Sequence, residues 1–324
     1  MYGYNVFHES ILTKLINNAR QGTNAAAYIF EGPAGLHKHN AALLFAKTLV
    51  CENTGIAPCC SCPACAEAQS GNHPDIIHVY PEKDRKTIGV DPIRDMLAEC
   101  AAKPFSDRHK VFIIKDGDIL TPAAQNALLK VLEEPPVYSV FIIICTDADF
   151  LLETVRSRSV RITFPPLDTD AVRRYIEAKY PADPRVDFLV SYCEGIPSFA
   201  DEIINRDDIE EMREDALGLV PKILSNQKKH ALDVSDYFDE HSGDAELLCD
   251  MMLMYLRDTL AYISGCPDEI VNTDKLVKIS LLAGTYQPEL IASGIDELVI
   301  AKKMLDKHIK PSAVILHAAL SVTL

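Results

Sequence analysis

Five short apolar runs, at 28–31, 76–80, 110–115, 141–146 and 160–164, alternate with segments of helical periodicity through the first half of this chain. Strands that stay apolar at successive positions are buried on both faces, and helix-length connections let neighbouring strands run parallel. The alternation therefore predicts a mostly parallel sheet covered by helices on both sides. "FPPLDTD", at 164–170, ends the pattern: two prolines stop the last strand, and Asp168 or Thr169 can cap the next helix. Only helical patterns follow. A short unit runs from about 168 to 205, interrupted at "CEGIPS", and "RDDIEEMRED" opens a longer part that ends in "PSAVILHAALSVTL". The apolar stripes of its segments, such as "AELLCDMMLMYLRDTLAYI", are read as the core of a helical bundle, with packing between subunits as the alternative. The predicted class is α/β followed by all-α, in three domains at 1–166, 167–206 and 207–324.

The stretch "FEGPAGLHKHNAALLFAKTL", at 30–49, has the spacing of a phosphate-binding loop between a strand and a helix. In an intact G-x-x-x-x-G-K-[ST] loop, backbone N–H groups wrap the phosphates and the hydroxyl ligates Mg²⁺. Here Gly32 opens the loop and Lys38 holds the lysine place, but His37 replaces the second glycine and His39 the hydroxyl residue. Glycine at that point allows φ > 0 and close approach to phosphate, and an imidazole-bearing Cβ is expected to obstruct both. An imidazole nitrogen is also a poor substitute for oxygen on a hard cation. Nucleotide and Mg²⁺ are therefore not expected at Gly32, His37, Lys38 and His39. A chance turn before a helix is the other reading of the loop taken alone.

Five of the chain's ten cysteines fall in "CENTGIAPCCSCPAC", at 51–65. Cys59, Cys62 and Cys65, with Cys51 upstream, can fold a loop around a tetrahedral metal, and four thiolates select Zn²⁺. Such a site is structural, because it leaves no open position for water. Cys60 is spare, although it could replace Cys59. Unmetallated thiols and a redox dithiol are the alternatives; the second fits poorly with two overlapping C-x-x-C motifs.

A formal charge of −15 and a pI near 5.1 argue against a free-standing nucleic-acid binder, which needs a basic surface. No apolar run is long enough to span a bilayer, and "MYGYNVFHES" lacks a basic and then apolar signal pattern, so a cytoplasmic protein is expected.

Four stretches stand in one order: the degenerate loop, the cysteine cluster closing with "SGNHPDI", the block "VFIIKDGDILTPAAQNALLKVLEEPP", and "LLETVRSRS". Together they resemble the delta-prime subunits of bacterial DNA polymerase III clamp loaders, which belong to the gamma/tau and delta-prime branch of the AAA+ superfamily. The resemblance is strong to about Phe164 and afterwards rests on helical character alone. It implies an AAA+ sheet domain with a zinc-binding insert, a small helical lid, and a helical collar that joins the subunits of a pentameric ring. Active relatives carry a metal-organising aspartate where Lys115 stands; Asp118 keeps the second acidic place, and Asp116 could compensate only by a slip that turns side chains to the opposite strand face. A lysine at that place opposes a divalent cation. Phe199, in "GIPSFA", occupies the place of the family's lid arginine, and Thr146 matches its polar sensor, although a strand-end threonine with a local hydrogen bond reads equally well. "SRS" at Ser157, Arg158 and Ser159 matches the family's Ser-Arg-Cys motif, whose arginine projects into a neighbour's nucleotide site; a surface arginine in a basic run is the plainer reading.

The resemblance thus implies a subunit without intrinsic activity, part of the DNA polymerase III holoenzyme, that completes a clamp-loader ring and supplies Arg158 in trans. Its implied company is gamma/tau and delta subunits, the sliding clamp and primed-template DNA, with no membrane. The rivals are an active AAA+ ATPase, for which Lys38 and Asp118 suffice, and a zinc-dependent DNA-binding module.

Overall fold

The computed structural model describes residues 8–81, 85–106, 108–181, 183, 185–225, 227–305 and 309–322. The first seven residues, which open the segment without a signal pattern, lie outside the described residues. Two compact units are present, one comprising Met1–Val172 with Glu194–Ser198, the other Arg173–Cys193 with Phe199–Leu324.

The first unit is built on five strands, β1 (Ala27–Glu31), β2 (Ile76–Val79), β3 (Lys110–Ile114), β4 (Ser139–Cys145) and β5 (Val160–Thr163). They form one parallel sheet in the order β2-β3-β4-β1-β5. Each expected strand is present, with ends shifted by at most two residues. Its helices are α1 (Glu9–Gln21), α2 (Lys38–Val50), α3 (Pro63–Ser70), α4 (Val90–Cys100), α5 (Pro122–Glu133) and the single turn α6 (Glu153–Arg156).

Every residue of β1, β3 and β4 is buried, and period-two alternation divides them between two cores. Tyr28, Phe30, Val111, Ile113, Val140, Ile142 and Ile144 pack with α1 and α2 on one face. Ala27, Ile29, Phe112, Ile114, Phe141 and Ile143 pack with α4 and α5 on the other. Burial on both faces explains why these strands read as unbroken apolar runs. The inserted order, with β4 between β3 and β1, leaves the β1 and β3 ends on either side of the β4 end. That is the arrangement in which loops leaving the carboxyl ends of parallel strands can share a site.

The second unit is helical. It holds most of α7 (Thr169–Lys179) and of α9 (Pro197–Ile204), with α8 (Val186–Tyr192), α10 (Ile209–Leu224), α11 (Lys228–Glu240), α12 (Ala245–Ile263), α13 (Leu276–Thr285), α14 (Pro288–Leu305) and α15 (Pro311–Ser321). The Asp168 side chain accepts from the Ala171 amide at 2.7 Å, so it is Asp168 and not Thr169 that caps α7. The segment "AELLCDMMLMYLRDTLAYI" is α12, buried along most of its length among α10, α13 and α14. Arg213 of α10 is fully buried there. Its guanidinium bonds Glu210, Asn272 and Asp274 at 2.9 to 3.0 Å and lies 4.5 Å from the centre of the Phe188 ring. These bonds to Nη1 and Nη2, with the Phe188 ring, join α10, α8 and the 272–274 turn, while the buried Nε has no partner among the described residues. No described helix is long and apolar enough to cross a membrane.

Candidate functional site

The loop between β1 and α2 keeps the backbone form of a phosphate cradle. Gly32 and Gly35 have φ of 142° and 83°, and a Cβ on Gly32 would lie 2.1 Å from the Phe164 carbonyl oxygen. His37, in the place of the second glycine, also takes the left-handed conformation, at φ 53° and ψ 32°. The expectation that a side chain there prevents this backbone is corrected: the turn persists, and His37 bears the steric cost of it, about 1 kcal/mol.

The groups around the turn have been turned to other uses. Lys38 is buried, and its ammonium donates to the Gly32 carbonyl at 2.5 Å and the Pro33 carbonyl at 2.7 Å. Burial lowers its pKa against the attraction of Cys145, Asp118 and Asp116. The His39 ring lies 5.5 Å from that of His78 on β2, and His78 stacks on Tyr80 at 5.9 Å. Burial, then His78 and Lys115, depress His39 to about 4, so it is an uncharged imidazole at neutral pH. Lys115 follows β3 and is exposed, as is Asp116, which takes a left-handed conformation at φ 59°. Where an intact site supplies a hydroxyl and a carboxylate to Mg²⁺, this one supplies an imidazole and an ammonium.

Asp118, the surviving acidic residue, faces the end of β4. The Thr146 amide donates to its two carboxylate oxygens at 2.8 and 2.9 Å, the Thr146 hydroxyl to Oδ1 at 3.0 Å, and the Asp147 amide to Oδ1 at 3.3 Å. The local hydrogen bond expected on one reading of Thr146 is thus present, and Asp118 is its acceptor.

Sequence reasoning missed Glu31, the buried carboxylate that ends β1. It accepts from Thr163 Oγ1 at 2.8 Å and the Ala148 amide at 3.3 Å, and pairs with Arg161 Nε at 2.6 Å. Burial pushes its carboxyl upwards, but the bonds from Arg161 and Thr163 prevail and hold it below the usual carboxylate range. The signal was a glutamate closing the apolar run "AAYIFE".

Arg158 lies in the turn after α6. Its Nη1 donates to the Thr154 carbonyl at 3.0 Å and to Ser157 Oγ at 3.3 Å, and its Nη2 pairs with Glu133 at 2.7 Å. Phe199, the third residue of α9, is half-buried and rests against the ring of Tyr192, 6.2 Å between centroids.

The four predicted cysteines converge, with all four Sγ atoms within 4.8 Å of one another. Cys51 follows α2 directly, Cys62 caps α3 and Cys65 lies in its first turn. Backbone amides are aimed at sulfur: Cys59 N–H at Cys51 Sγ and Cys65 N–H at Cys62 Sγ, each at 3.4 Å. At Cys51 burial raises the thiol pKa on balance, and the Cys59 amide opposes that rise. Tetrahedral Zn–S bonds of about 2.3 Å place sulfurs about 3.8 Å apart, and Cys59 and Cys65 Sγ stand at 4.0 Å, so the set fits the ion with small adjustment. Cys60 lies outside it, exposed, at φ 58°, with its sulfur on the Pro58 carbonyl. Arg20 of α1 donates to the Ala57 carbonyl at 2.7 Å and ties the insert to the unit. The "NHPD" that closes the insert is also structural: buried Asp75 accepts from the Phe105 and Ser106 amides at 2.8 and 2.9 Å.

Residues 7–168 match the family described as DNA polymerase III, delta subunit, and residues 211–316 the one described as DNA polymerase III, delta subunit, C terminal. The chain is similar to DNA polymerase III subunit delta' of Bacillus subtilis, 30% identical over 98% of this chain and 96% of that protein. It is similar to subunit delta' of Pseudomonas aeruginosa, 30% identical over 63% of each. Subunit tau of Bacillus subtilis is 29% identical over 78% of this chain, which spans about half, 48%, of that relative.

Proposed function

Since the chain belongs to the delta-prime family of DNA polymerase III subunits, we propose that it is a non-hydrolysing subunit of the clamp loader. In this reading it completes the ring that loads the sliding clamp onto primed DNA. The AAA+ sheet domain spans 1–166, the lid 167–206 and the collar 207–324, and the collar joins this chain to gamma/tau and delta subunits in a pentameric cytoplasmic ring. Clamp and DNA are met through the complex. An acidic chain suits that role, because DNA contact can be left to basic surfaces elsewhere in the ring.

The observation that carries the reading is the fate of Asp118. Its carboxylate, which keeps the second acidic place, is engaged by hydrogen bonds from Thr146 and Asp147, three of them on Oδ1. With Lys38 folded onto its own loop and His39 and Lys115 at the metal positions, the nucleotide site supports neither Mg²⁺ nor hydrolysis. Arg158 then acts on the neighbouring subunit: a planar, permanently charged guanidinium stabilises charge developing on a γ-phosphoryl group. Cys51, Cys59, Cys62 and Cys65 hold a structural Zn²⁺, which ties α2 to α3.

The test is reconstitution. This chain, mixed with the gamma/tau and delta subunits of the same organism, is expected to co-elute with them and to be required for clamp loading on primed DNA. Failure to co-elute, or full clamp loading without this chain, would overturn the assignment.

A further inference from the structure

Arg158 and Glu133 come from segments twenty-five positions apart and meet at 2.7 Å. Glu133 is the last residue of α5, where the negative end of the helix dipole disfavours a carboxylate. Its position is therefore not explained by helix stability, and Arg158 is the partner its carboxylate has among the described residues. The pair is half-exposed at both ends, and such ion pairs contribute little to folding. Its physical effect is to restrict a long side chain that would otherwise sample many rotamers.

The framework beneath the pair is fixed. Buried Gln125 of α5 donates to the Phe150 carbonyl at 3.2 Å and the Leu120 carbonyl at 3.1 Å, and its carbonyl accepts from the Leu152 amide at 2.6 Å. These bonds lock α5 to the segment that leads into α6, so the carboxylate of one meets the guanidinium of the other in a set register. On that framework Nη1 is held by the Thr154 carbonyl and Ser157 Oγ, and Nη2 by Glu133. A guanidinium has five N–H donors. Nε and one hydrogen of Nη2 are left without an acceptor among the described residues, enough for a phosphate oxygen or two.

We propose that Glu133 is a positioning residue for Arg158, orienting its guanidinium so that the remaining donors are presented to the phosphoryl group of a neighbouring subunit. The proposal rests on the reading of Arg158 as a trans-acting finger. Preorganisation of this kind is valuable where charge develops only in the transition state, because no reorganisation is then required at the moment of reaction. Glu133 touches no substrate and acts through Arg158 alone.

The experiment compares rings of equal assembly containing wild-type chain, Glu133→Gln, Arg158→Ala or both, with the partner subunits, clamp and primed DNA. Glutamine keeps the shape and removes the charge. Glu133→Gln is expected to lower kcat for ATP turnover at the neighbouring site by on the order of tenfold, the usual scale for a group that orients another, with KM for ATP little changed. Added to Arg158→Ala it should change nothing further. If Arg158→Ala is slow but Glu133→Gln turns over at or above the wild-type rate, the positioning role is wrong and the finger stands. If the two losses multiply in the double variant, Glu133 acts elsewhere and the proposal is equally wrong. If Arg158→Ala itself matches wild type, the finger reading fails and takes this proposal with it.

Discussion

The Lys38 ammonium donates to the carbonyl of Gly32, the residue that opens its own loop, at 2.5 Å. A second bond reaches the neighbouring Pro33 carbonyl at 2.7 Å, so two of three donors are committed to the cradle. Phosphate would have to break both bonds and re-expose a buried lysine. Weak or no binding of Mg-ATP is expected from the isolated chain, and no hydrolysis. Titration calorimetry giving micromolar affinity, or steady turnover abolished by Lys38→Ala, would contradict this.

One Zn²⁺ per chain is expected on Cys51, Cys59, Cys62 and Cys65. Elemental analysis after purification without chelator checks the content, and Cys60→Ser should keep it in full. Removal of the ion, or Cys65→Ser, should increase proteolysis within 51–65 while the sheet unit persists, since its cores lie in other residues. A metal content near zero would refute the site.

Arg158→Ala should leave the chain folded, with a change in stability of less than about 1 kcal/mol, as for other partly exposed ion pairs. Thermal melts check this directly. In the ring the same substitution should depress DNA-stimulated ATP turnover and clamp loading, with Arg158→Lys a poor replacement because an ammonium lacks the planar fork. The total falls by less than the roughly 10³ to 10⁵ that a finger can contribute at one site, because other ATP sites remain.

The His39 imidazole, depressed to about 4 by burial and by His78 and Lys115, makes stability depend on pH. In the unfolded chain it takes up a proton below about 6.5. Between about 6.5 and 4 the unfolded state therefore binds more protons, and stability is lost as pH falls through that window. The melting midpoint of wild type should fall more steeply between about pH 6.5 and 5 than that of His39→Asn. Parallel curves would show that His39 is not buried neutral.

Gly32→Ala should destabilise the first unit by roughly 2 kcal/mol or more. The added Cβ meets a backbone oxygen, that of Phe164, at 2.1 Å, and the residue keeps φ of 142°. Urea unfolding measures the cost; a wild-type midpoint would mean that the loop can move away from β5.

Much of this protein is legible in its amino-acid sequence. The strands are visible because parallel strands buried on both faces need unbroken apolar runs, and Val111 to Ile114 or Phe141 to Ile144 can hardly be read otherwise. The four cysteines are visible because ligands close together in the chain reveal themselves by spacing, and Cys59, Cys62 and Cys65 run from a loop into the first turn of α3. The substitutions His37, His39 and Lys115 are also plain, since a missing hydroxyl or carboxylate is a property of composition at a place.

What the tertiary structure decided are the relations between distant residues. Asp118 and Thr146, Glu31 and Arg161, His39 and His78, and Glu133 and Arg158 are far apart in the chain and adjacent in space, and no local pattern specifies their pairing. The sheet order brings the first three pairs together, and the Gln125 bonds between α5 and the segment before α6 set Glu133 against Arg158. His37 is the instructive case. Residue type alone argues that the left-handed turn should be lost, yet packing of the loop against β5 and the 195–198 segment holds it. A conformational preference of about 1 kcal/mol is small beside the burial that closes a core, so at such a position tertiary context prevails over local propensity.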